Sequence, residues 1–116
     1  MVNNEDYYWI DEYPWPKPTY VLNGHISGIF GLYDYYLING SEICELLLKS
    51  ALSSVQRYIN NFRVESGVSN YCLLHKVQAK NYHMLHIHQL ECLWKITGDQ
   101  FFKDMSDNFY ADYHTE

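Results

Sequence analysis

Glu12 and Tyr13 stand side by side in a segment that three prolines stiffen, namely Pro14, Pro16 and Pro18. Proline fixes its own φ and drives the preceding residue towards an extended backbone. The pair is therefore predicted to lie in a rigid, extended segment just before a helix. A carboxylate beside a phenol is suited to work as a base and an acid. The alternative is an ordinary surface strand end, and the pair alone does not decide between the two.

Three closely spaced histidines, His83, His86 and His88, raise the question of a metal site. Residues two apart on a helix point about 200° away from each other, so His86 and His88 cannot share a metal ion. No cysteine or carboxylate completes an obvious ligand set nearby. We therefore predict no metal site, and we expect His86 to form hydrogen bonds or to face a substrate.

The composition predicts one modest domain over residues 1–116, with 47% hydrophobic residues and no stretch apolar enough to span a membrane. A net charge of −6 argues against nucleic acid as a partner. Residues 57–95 are nevertheless basic, and this segment either faces an anion or is a solvated surface. Three unclustered cysteines, Cys44, Cys72 and Cys92, and an N-terminus without a signal-peptide pattern predict reduced thiols and a cytoplasmic protein.

Hydrophobic periodicity predicts a mainly helical fold. The helices are expected near residues 21–38, 41–62, 82–97 and 99–110. Asn39-Gly40 is predicted to end the first helix, while Ser41 and Asp99 are the predicted N-caps of the second and the last. A short extended segment is expected over residues 7–10, and a short strand or small hairpin over 68–77.

The apolar stripe of the second helix is predicted from spacings of three and four. It comprises Ile43, Leu47, Ala51, Val55, Tyr58 and Phe62. On the third helix, Tyr82, His86 and Gln89 interrupt the stripe that should be buried. Buried polar groups need partners, so this face is expected to meet a hydrogen-bond network or a wet cavity.

Three glycines lie on one face of the first helix, at Gly24, Gly28 and Gly31. Each interior glycine costs a helix about 1 kcal/mol relative to alanine. We therefore expect another helix or a ligand to approach this face closely.

Four motifs occur in an order that resembles the C-terminal domain of D-glucuronyl C5-epimerase, a family that acts on heparosan-type polysaccharides, glycosaminoglycans of heparan sulfate biosynthesis. The motifs are Glu12-Tyr13-Pro14, the turn Val21-Leu22-Asn23-Gly24 with Gly31-Leu32-Tyr33-Asp34, Ser66-Gly67 leading to Tyr71, and Tyr82-His83-x-x-His86-Ile87-x-Gln89-Leu90. The resemblance covers residues 7–110. It implies a helical (α/α) toroid preceded by a β-rich region, of which this chain would form a part with about four helices.

The resemblance also implies which residues line a catalytic cleft. The catalytic candidates are Glu12, Tyr13, Tyr71 and Tyr82, and the substrate-binding candidates are Asn23, His75, Lys76 and His86. One departure is notable, because the family motif Tyr-Asp-Leu-Arg-His reads Tyr71-Cys72-Leu73-Leu74-His75 here. Leu74 replaces the arginine that would meet a substrate carboxylate, unless His75, Lys76 or Lys80 takes its place.

The implied reaction is epimerisation at C5 of glucuronic acid residues in a polysaccharide. It requires removal of a proton alpha to a carboxylate and its return on the opposite face. Glu12 is the expected base and Tyr82 the expected acid. Tyr13, Tyr71 or His86 is expected to donate a hydrogen bond to the substrate carboxylate. No cofactor is needed, because the carboxylate delocalises the charge. A polysaccharide lyase and a non-catalytic glycan-binding or subunit domain remain alternatives.

Two further expectations follow from the resemblance. The first is that Glu12, Tyr13, Tyr71, Tyr82 and His86 border one concave surface. The second concerns assembly, because four helices are too few to close a toroid and the upstream half of the family domain is absent from this sequence. Apolar surface would then be exposed at Phe30, Leu37, Ile87 and Trp94. We accordingly expect a homo-oligomer or a partner chain that provides the missing helices.

Overall fold

The computed structural model describes residues 2–4, 7–10, 21–73, 78 and 80–114. In these residues four helices follow one another in two pairs, and a two-residue connection joins the two helices of each pair. The helices are α1 (Leu22–Asn39), α2 (Glu42–Phe62), α3 (Lys80–Thr97) and α4 (Gln100–Asp112). Two short strands, β1 (Val2–Asn4) and β2 (Tyr7–Trp9), precede them. The predicted mainly helical fold is confirmed. Within the described ranges, no helix is long and apolar enough to cross a membrane.

The two connections stop and restart the helices by local backbone chemistry. Gly40 has a φ of 62° and donates its N–H to Tyr36 O, as a left-handed glycine does at a helix end. Ser41 Oγ then accepts the backbone N–H of Cys44. The second connection repeats this with Gly98, at a φ of 71°, and with Asp99, which accepts the N–H of Phe101. The predicted stop at Asn39-Gly40 and both predicted caps are confirmed.

Helix α1 packs against α2 and α3, and α3 packs against α4. Their inner faces form one apolar core, in which the largest fully buried side chains include Leu22, Ile26, Ile29, Ile59, Phe62, Leu90, Leu93, Phe102 and Phe109. Burying one such side chain contributes roughly 1.5–3 kcal/mol. The core thus lies where the two helix pairs meet, and ring closure into a toroid stays a prediction.

The phase of two apolar stripes differs from the prediction. On α2 the core side begins with Cys44 and Leu48, whereas Ile43 is 72% exposed. On α3, Ile87 was expected to lie off the buried stripe, but it is 6% exposed. Ile87 is buried because α4 lies against it, and Ser106 Oγ donates to Ile87 O at 2.9 Å.

At Gly28, the close approach predicted for the glycine face of α1 comes from the chain segment before the helix. A Cβ at Gly28 would lie 2.6 Å from Cδ1 of Ile10, while a Cβ at Gly31 would have no atom within 4 Å. His25 fastens the same segment, because its Nδ1 accepts the Ile10 N–H at 2.9 Å. The opposite nitrogen, Nε2, then carries the proton and donates to Ala51 O at 2.9 Å.

Strand pairing is limited to short stretches. β1 and β2 pair antiparallel with Val2 opposite Trp9, and β2 lies along α2. The hairpin predicted over residues 68–77 is not confirmed. In the described part of this segment there are single bridges, Val21 with Cys72 and Asn70 with Gln78, and residues 74–77 lie outside the description.

A charged pair joins the end of α2 to the end of α4. Arg63 Nε donates to Asp112 Oδ2 at 2.8 Å, and the N–H of Ser66 donates to Asp112 Oδ1 at 3.1 Å. The hydrogen bond from Arg63 holds the pKa of Asp112 below its usual value. Asp112 also steadies Ser66, which adopts a left-handed φ of 59° without being glycine.

We expect Asp112→Asn to lower the free energy of unfolding by about 2 kcal/mol, because it removes charge-assisted hydrogen bonds from a buried carboxylate. A folded-state pKa below the unfolded value stabilises the fold above the unfolded pKa, and this stabilisation is lost as the pH falls through the folded value. The difference between wild type and variant in urea unfolding should therefore be full at pH 7 and shrink in acid. Asp107→Asn, at the exposed i,i+4 pair with Lys103, is the control and should change stability by less than about 0.5 kcal/mol. Equal effects of the two substitutions would contradict this role of Asp112.

Candidate functional site

Two of the predicted catalytic tyrosines are neighbours. The ring centroids of Tyr71 and Tyr82 lie 4.5 Å apart with the planes tilted by 48°. Tyr71 is held over the start of α1, because its carbonyl accepts the N–H of Leu22 at 3.2 Å. Tyr82 lies in the first turn of α3 and is 39% exposed. The pair therefore presents phenol groups where the chain enters α3 and where α1 begins.

A column of polar side chains runs inward from Tyr82 along one face of α3. His86 and Gln89 follow it at spacings of four and three, and both are buried. Gln89 Nε2 donates to Asn23 O and to Ser27 Oγ on α1, each at 3.1 Å. The polar face predicted for this helix is thus buried against α1 at its inner end. Asn23, a predicted substrate-binding residue, lies at that contact.

Ser69, His83 and His86 form a hydrogen-bonded chain of three side chains, and His86 is shared with the polar column. Ser69 Oγ is 2.8 Å from His86 Nδ1 and 2.8 Å from His83 Nδ1, and all three residues are buried. The backbone N–H of Ser69 also donates to His83 Nδ1 at 2.8 Å. His83 Nε2 donates to the carbonyls of Phe109 and Tyr113 at the end of α4. This chain links the irregular segment before α3 to two helices.

Sequence reasoning missed Ser69 and weighed His83 only as a metal ligand. The spacing of His83 and His86 by three was a usable signal, because such residues are neighbours on a helix surface. Nothing in the sequence marks Ser69 as their partner. Among the described residues, no group of three His, Cys, Asp or Glu side chains could hold a metal ion.

Burial lowers the pKa of His86 to about 3, with a smaller contribution from the neighbouring His83. His86 is therefore neutral at physiological pH. Its Nε2 has no hydrogen-bond partner in the described part of the chain, and the same holds for Gln89 Oε1 and Asn23 Oδ1. Gln89 and Asn23 meet at the contact between α1 and α3, and His86 precedes Gln89 by three residues on α3.

Four other predicted site residues, Glu12, Tyr13, His75 and Lys76, lie outside the described residues. Of the residues expected to border one concave surface, Tyr71 and Tyr82 are in contact and His86 lies one turn after Tyr82 on α3. The approach of Glu12 and Tyr13 to these residues stays a prediction.

Comparison with known proteins adds the decisive observation. Residues 1–111 match the family described as D-glucuronyl C5-epimerase C-terminus. The chain belongs to this family.

A second comparison links the epimerase-family chain to an archaeal relative. It is 32% identical over 106 residues to an uncharacterised protein of Methanocaldococcus jannaschii. The match covers 88% of this chain and 33% of that protein. The chain therefore spans about a third of the length of this relative, and it corresponds to only a part of the longer protein.

This member of the D-glucuronyl C5-epimerase C-terminal family differs at Cys72 and Leu74 from the motif Tyr-Asp-Leu-Arg-His that it resembles. Cys72 is buried in the interior of the fold, and its backbone pairs with that of Val21 in an isolated β-bridge. Leu74 lies outside the described residues. The matched range, residues 1–111, includes both Tyr71 and Tyr82.

The two buried neutral histidines predict how stability depends on pH. Burial lowers the pKa of His25 to about 4 and that of His86 to about 3, whereas an unfolded histidine titrates near 6.5. The unfolded chain therefore binds protons that the folded chain does not, and stability falls as the pH drops below about 6.5. We expect each histidine to contribute a loss on the order of 2 kcal/mol by pH 5.

Urea unfolding between pH 7.5 and 5 measures this slope before carboxylates titrate strongly. His86→Gln should flatten the slope by about one proton, whereas His88→Gln, on the exposed side of α3, should leave it unchanged. A wild-type stability that stays constant between pH 7 and pH 5 would rule out neutral burial of these two rings.

Proposed function

We propose that this chain forms the tyrosine-bearing wall of a uronyl C5-epimerase site that acts on glucuronic acid residues of a polysaccharide. The adjacency of Tyr71 and Tyr82 is the observation that carries the proposal. Two phenols in contact, one of them well exposed, offer aromatic surface to a sugar ring and hydroxyl groups to its substituents. Membership of the epimerase family supports the same assignment.

The reaction breaks the C5–H bond of the uronate and moves its electron pair into the adjacent carboxylate. Glu12, in the segment before α1, accepts this proton on one face. Tyr82 then donates its phenol proton to C5 from the other face. Glu12 releases the abstracted proton to solvent and the Tyr82 phenolate takes up a proton from solvent, so both groups return to their starting states. The net change is an inversion at C5, and no oxidant, reductant or cofactor enters the balance.

Stabilisation of the charge on the carboxylate requires hydrogen-bond donors or a cation. The Tyr71 hydroxyl is one donor. Lys80 is one candidate for the cation in place of the family arginine, and in the structure its Nζ lies 5.8 Å from the centroid of the Tyr113 ring. His75 and Lys76 are further candidates in the same stretch of sequence.

A non-catalytic glycan-binding role is the second candidate, and the leucine at position 74 favours it. A domain that retains the aromatic wall and lacks the arginine would hold a uronate without promoting proton transfer. Binding and exchange therefore have to be measured separately. A lyase would share the proton abstraction, but its unsaturated product absorbs in the ultraviolet.

Incorporation of deuterium at C5 of a glucuronic acid polymer in D₂O tests the proposal. We expect exchange with the wild-type chain, and a loss of roughly 100-fold or more in Tyr82→Phe because the acid is removed. Tyr35→Phe, at an exposed tyrosine of α1, is the matched control and should exchange at the wild-type rate. Polymer binding without any exchange would replace the epimerase by the glycan-binding role. Full exchange in Tyr82→Phe would exclude Tyr82 as the acid.

We also propose that the chain associates with a second copy through the corner between α1 and α2. Five large apolar side chains are exposed there: Tyr35, Leu37, Ile38, Ile43 and Leu46. Leu37 is exposed as expected from the sequence, whereas Ile87 is buried and Phe30 and Trp94 are partly buried against the core. Clustered exposed apolar surface is typical of interaction sites.

Sedimentation at micromolar concentration measures this association. Wild type should sediment as an oligomer, and Ile38→Glu should sediment as a monomer with unchanged unfolding free energy, because Ile38 is 84% exposed. A wild-type monomer throughout the micromolar range would contradict self-association and would leave a different polypeptide as the partner. A cytoplasmic location is proposed as well, supported by the free thiols of Cys44 and Cys92 among the described residues.

A further inference from the structure

The proton on His83 can be located from its contacts. Carbonyl oxygens accept hydrogen bonds and never donate them, so the contacts of Nε2 with Phe109 O and Tyr113 O at 2.8 and 2.9 Å place the proton on Nε2. The other nitrogen, Nδ1, is then a bare acceptor. The backbone N–H of Ser69 at 2.8 Å agrees with this assignment.

The proton on His83 in turn orients the hydroxyl of Ser69. Ser69 Oγ lies 2.8 Å from the bare His83 Nδ1, and two lone pairs at that distance would repel each other. The hydroxyl proton therefore points to His83. Ser69 Oγ is left as an acceptor towards His86 Nδ1, also at 2.8 Å, so His86 must carry its proton on Nδ1.

We infer that Ser69 and His83 hold His86 in the Nδ1–H tautomer, and that its bare Nε2 forms, with Gln89 Oε1 and Asn23 Oδ1, a buried acceptor site for an O–H donor. All three atoms are buried and have no partner among the described residues. The three residues lie near one another, because His86 and Gln89 are one turn apart on α3 and the Gln89 amide nitrogen donates to the backbone carbonyl of Asn23.

The orientation of the Gln89 amide is settled by its own contacts. Its nitrogen donates both to Asn23 O and to Ser27 Oγ, so the oxygen is the atom that lacks a partner. A buried acceptor left without a donor destabilises the fold. Two of these acceptors belong to residues in contact, Gln89 and Asn23, and the third lies one turn away on α3, which points to a site for a bound donor.

The chemistry of the acceptors selects a neutral donor. A cation would bring a charge into the interior, and Asn23, Gln89 and neutral His86 carry none to compensate it. A hydroxyl or a water donates without charge. The donor is therefore either an internal water molecule or a sugar hydroxyl, and only the second of these rests on the proposed epimerase function.

Long-range ¹H–¹⁵N correlation spectra of the free chain test the tautomer. We expect His86 Nδ1 to show the shift of a protonated ring nitrogen and Nε2 that of an unprotonated one. A proton on Nε2, or a doubly protonated ring at pH 6, would overturn the inference. This spectrum is recorded without substrate, so its outcome is independent of any epimerase activity.

Variants at position 69 separate the relay from simple packing. Ser69→Ala removes the acceptor of the Nδ1–H, so a population of the Nε2–H tautomer should appear. Ser69→Thr keeps the hydroxyl and should keep the wild-type pattern. Ser53→Ala, at an exposed serine of α2, is the matched control. Unchanged His86 signals in a folded Ser69→Ala protein would also overturn the inference, and the wild-type spectrum decides the matter if that variant does not fold.

Titration with an oligosaccharide that contains glucuronic acid identifies the source of the O–H donor. A saturable change of the His86 Nε2 signal assigns the donor to the sugar. Cross-relaxation between the His86 ring and a long-lived water, unaffected by the oligosaccharide, assigns it to water. The absence of both would mean that the acceptors stay empty, and the acceptor site would be excluded.

Discussion

Buried neutral imidazoles hold the irregular segments of this chain to its helices. A neutral histidine donates at one ring nitrogen and accepts at the other, so it can join an N–H of one segment to a carbonyl of another. His25 does this between Ile10 and Ala51, and His83 does it between Ser69 and the end of α4. Protonation of either ring would turn its acceptor nitrogen into a donor and would break the link. The arrangement of segments around the helical core therefore depends on these rings staying uncharged.

The same constraint orders the candidate site. His83 anchors Ser69, and Ser69 both orients His86 and fixes where the chain stands two residues later, at Tyr71. Tyr71 thereby reaches Tyr82, one turn before His86 on α3. The tyrosine pair and the histidine relay are thus two ends of one set of contacts. A change at Ser69 acts on the site without touching a substrate, and its effect passes through the ring of His86.

The helices were predictable because their signals are local. The predicted limits differ from the observed ones by at most two residues, and α3 begins at Lys80 instead of Tyr82. Caps and left-handed glycines depend only on adjacent residues, which explains this agreement. The side of α2 that faces the core was less predictable. Ile43 fits the periodic stripe as well as Cys44 does, and only the position of α1, where Cys44 Sγ donates to Leu32 O at 3.4 Å, decides that Cys44 is buried.

The candidate site was likewise predictable where its signals are local and not where they depend on tertiary contacts. The adjacency of Tyr71 and Tyr82 was expected from the family resemblance and could not be derived from spacing, because the short strand or hairpin that the sequence predicts between them does not fix a distance. The polar face of α3 was readable from the sequence, since Tyr82, His86 and Gln89 recur at helical spacing. Its partners were not, because Ser69 belongs to an irregular segment and Asn23 to a different helix. Periodicity in the sequence predicts which side chains share a helix face, but only the tertiary structure shows which residues that face contacts.

Depth gives the polar column a direction. Tyr82 lies at the surface, where its phenol can donate, while His86 and Gln89 lie inside and present acceptors. Desolvation keeps His86 uncharged, so the inner end offers lone pairs without electrostatic attraction for ions. In the proposed site, a carboxylate would be repelled by those lone pairs and would stay at the outer end, near the phenols. A hydroxyl, in contrast, would donate to them. The proposed site would therefore distinguish hydroxyl from carboxylate substituents through the positions of donors and acceptors, with no buried charge on the protein.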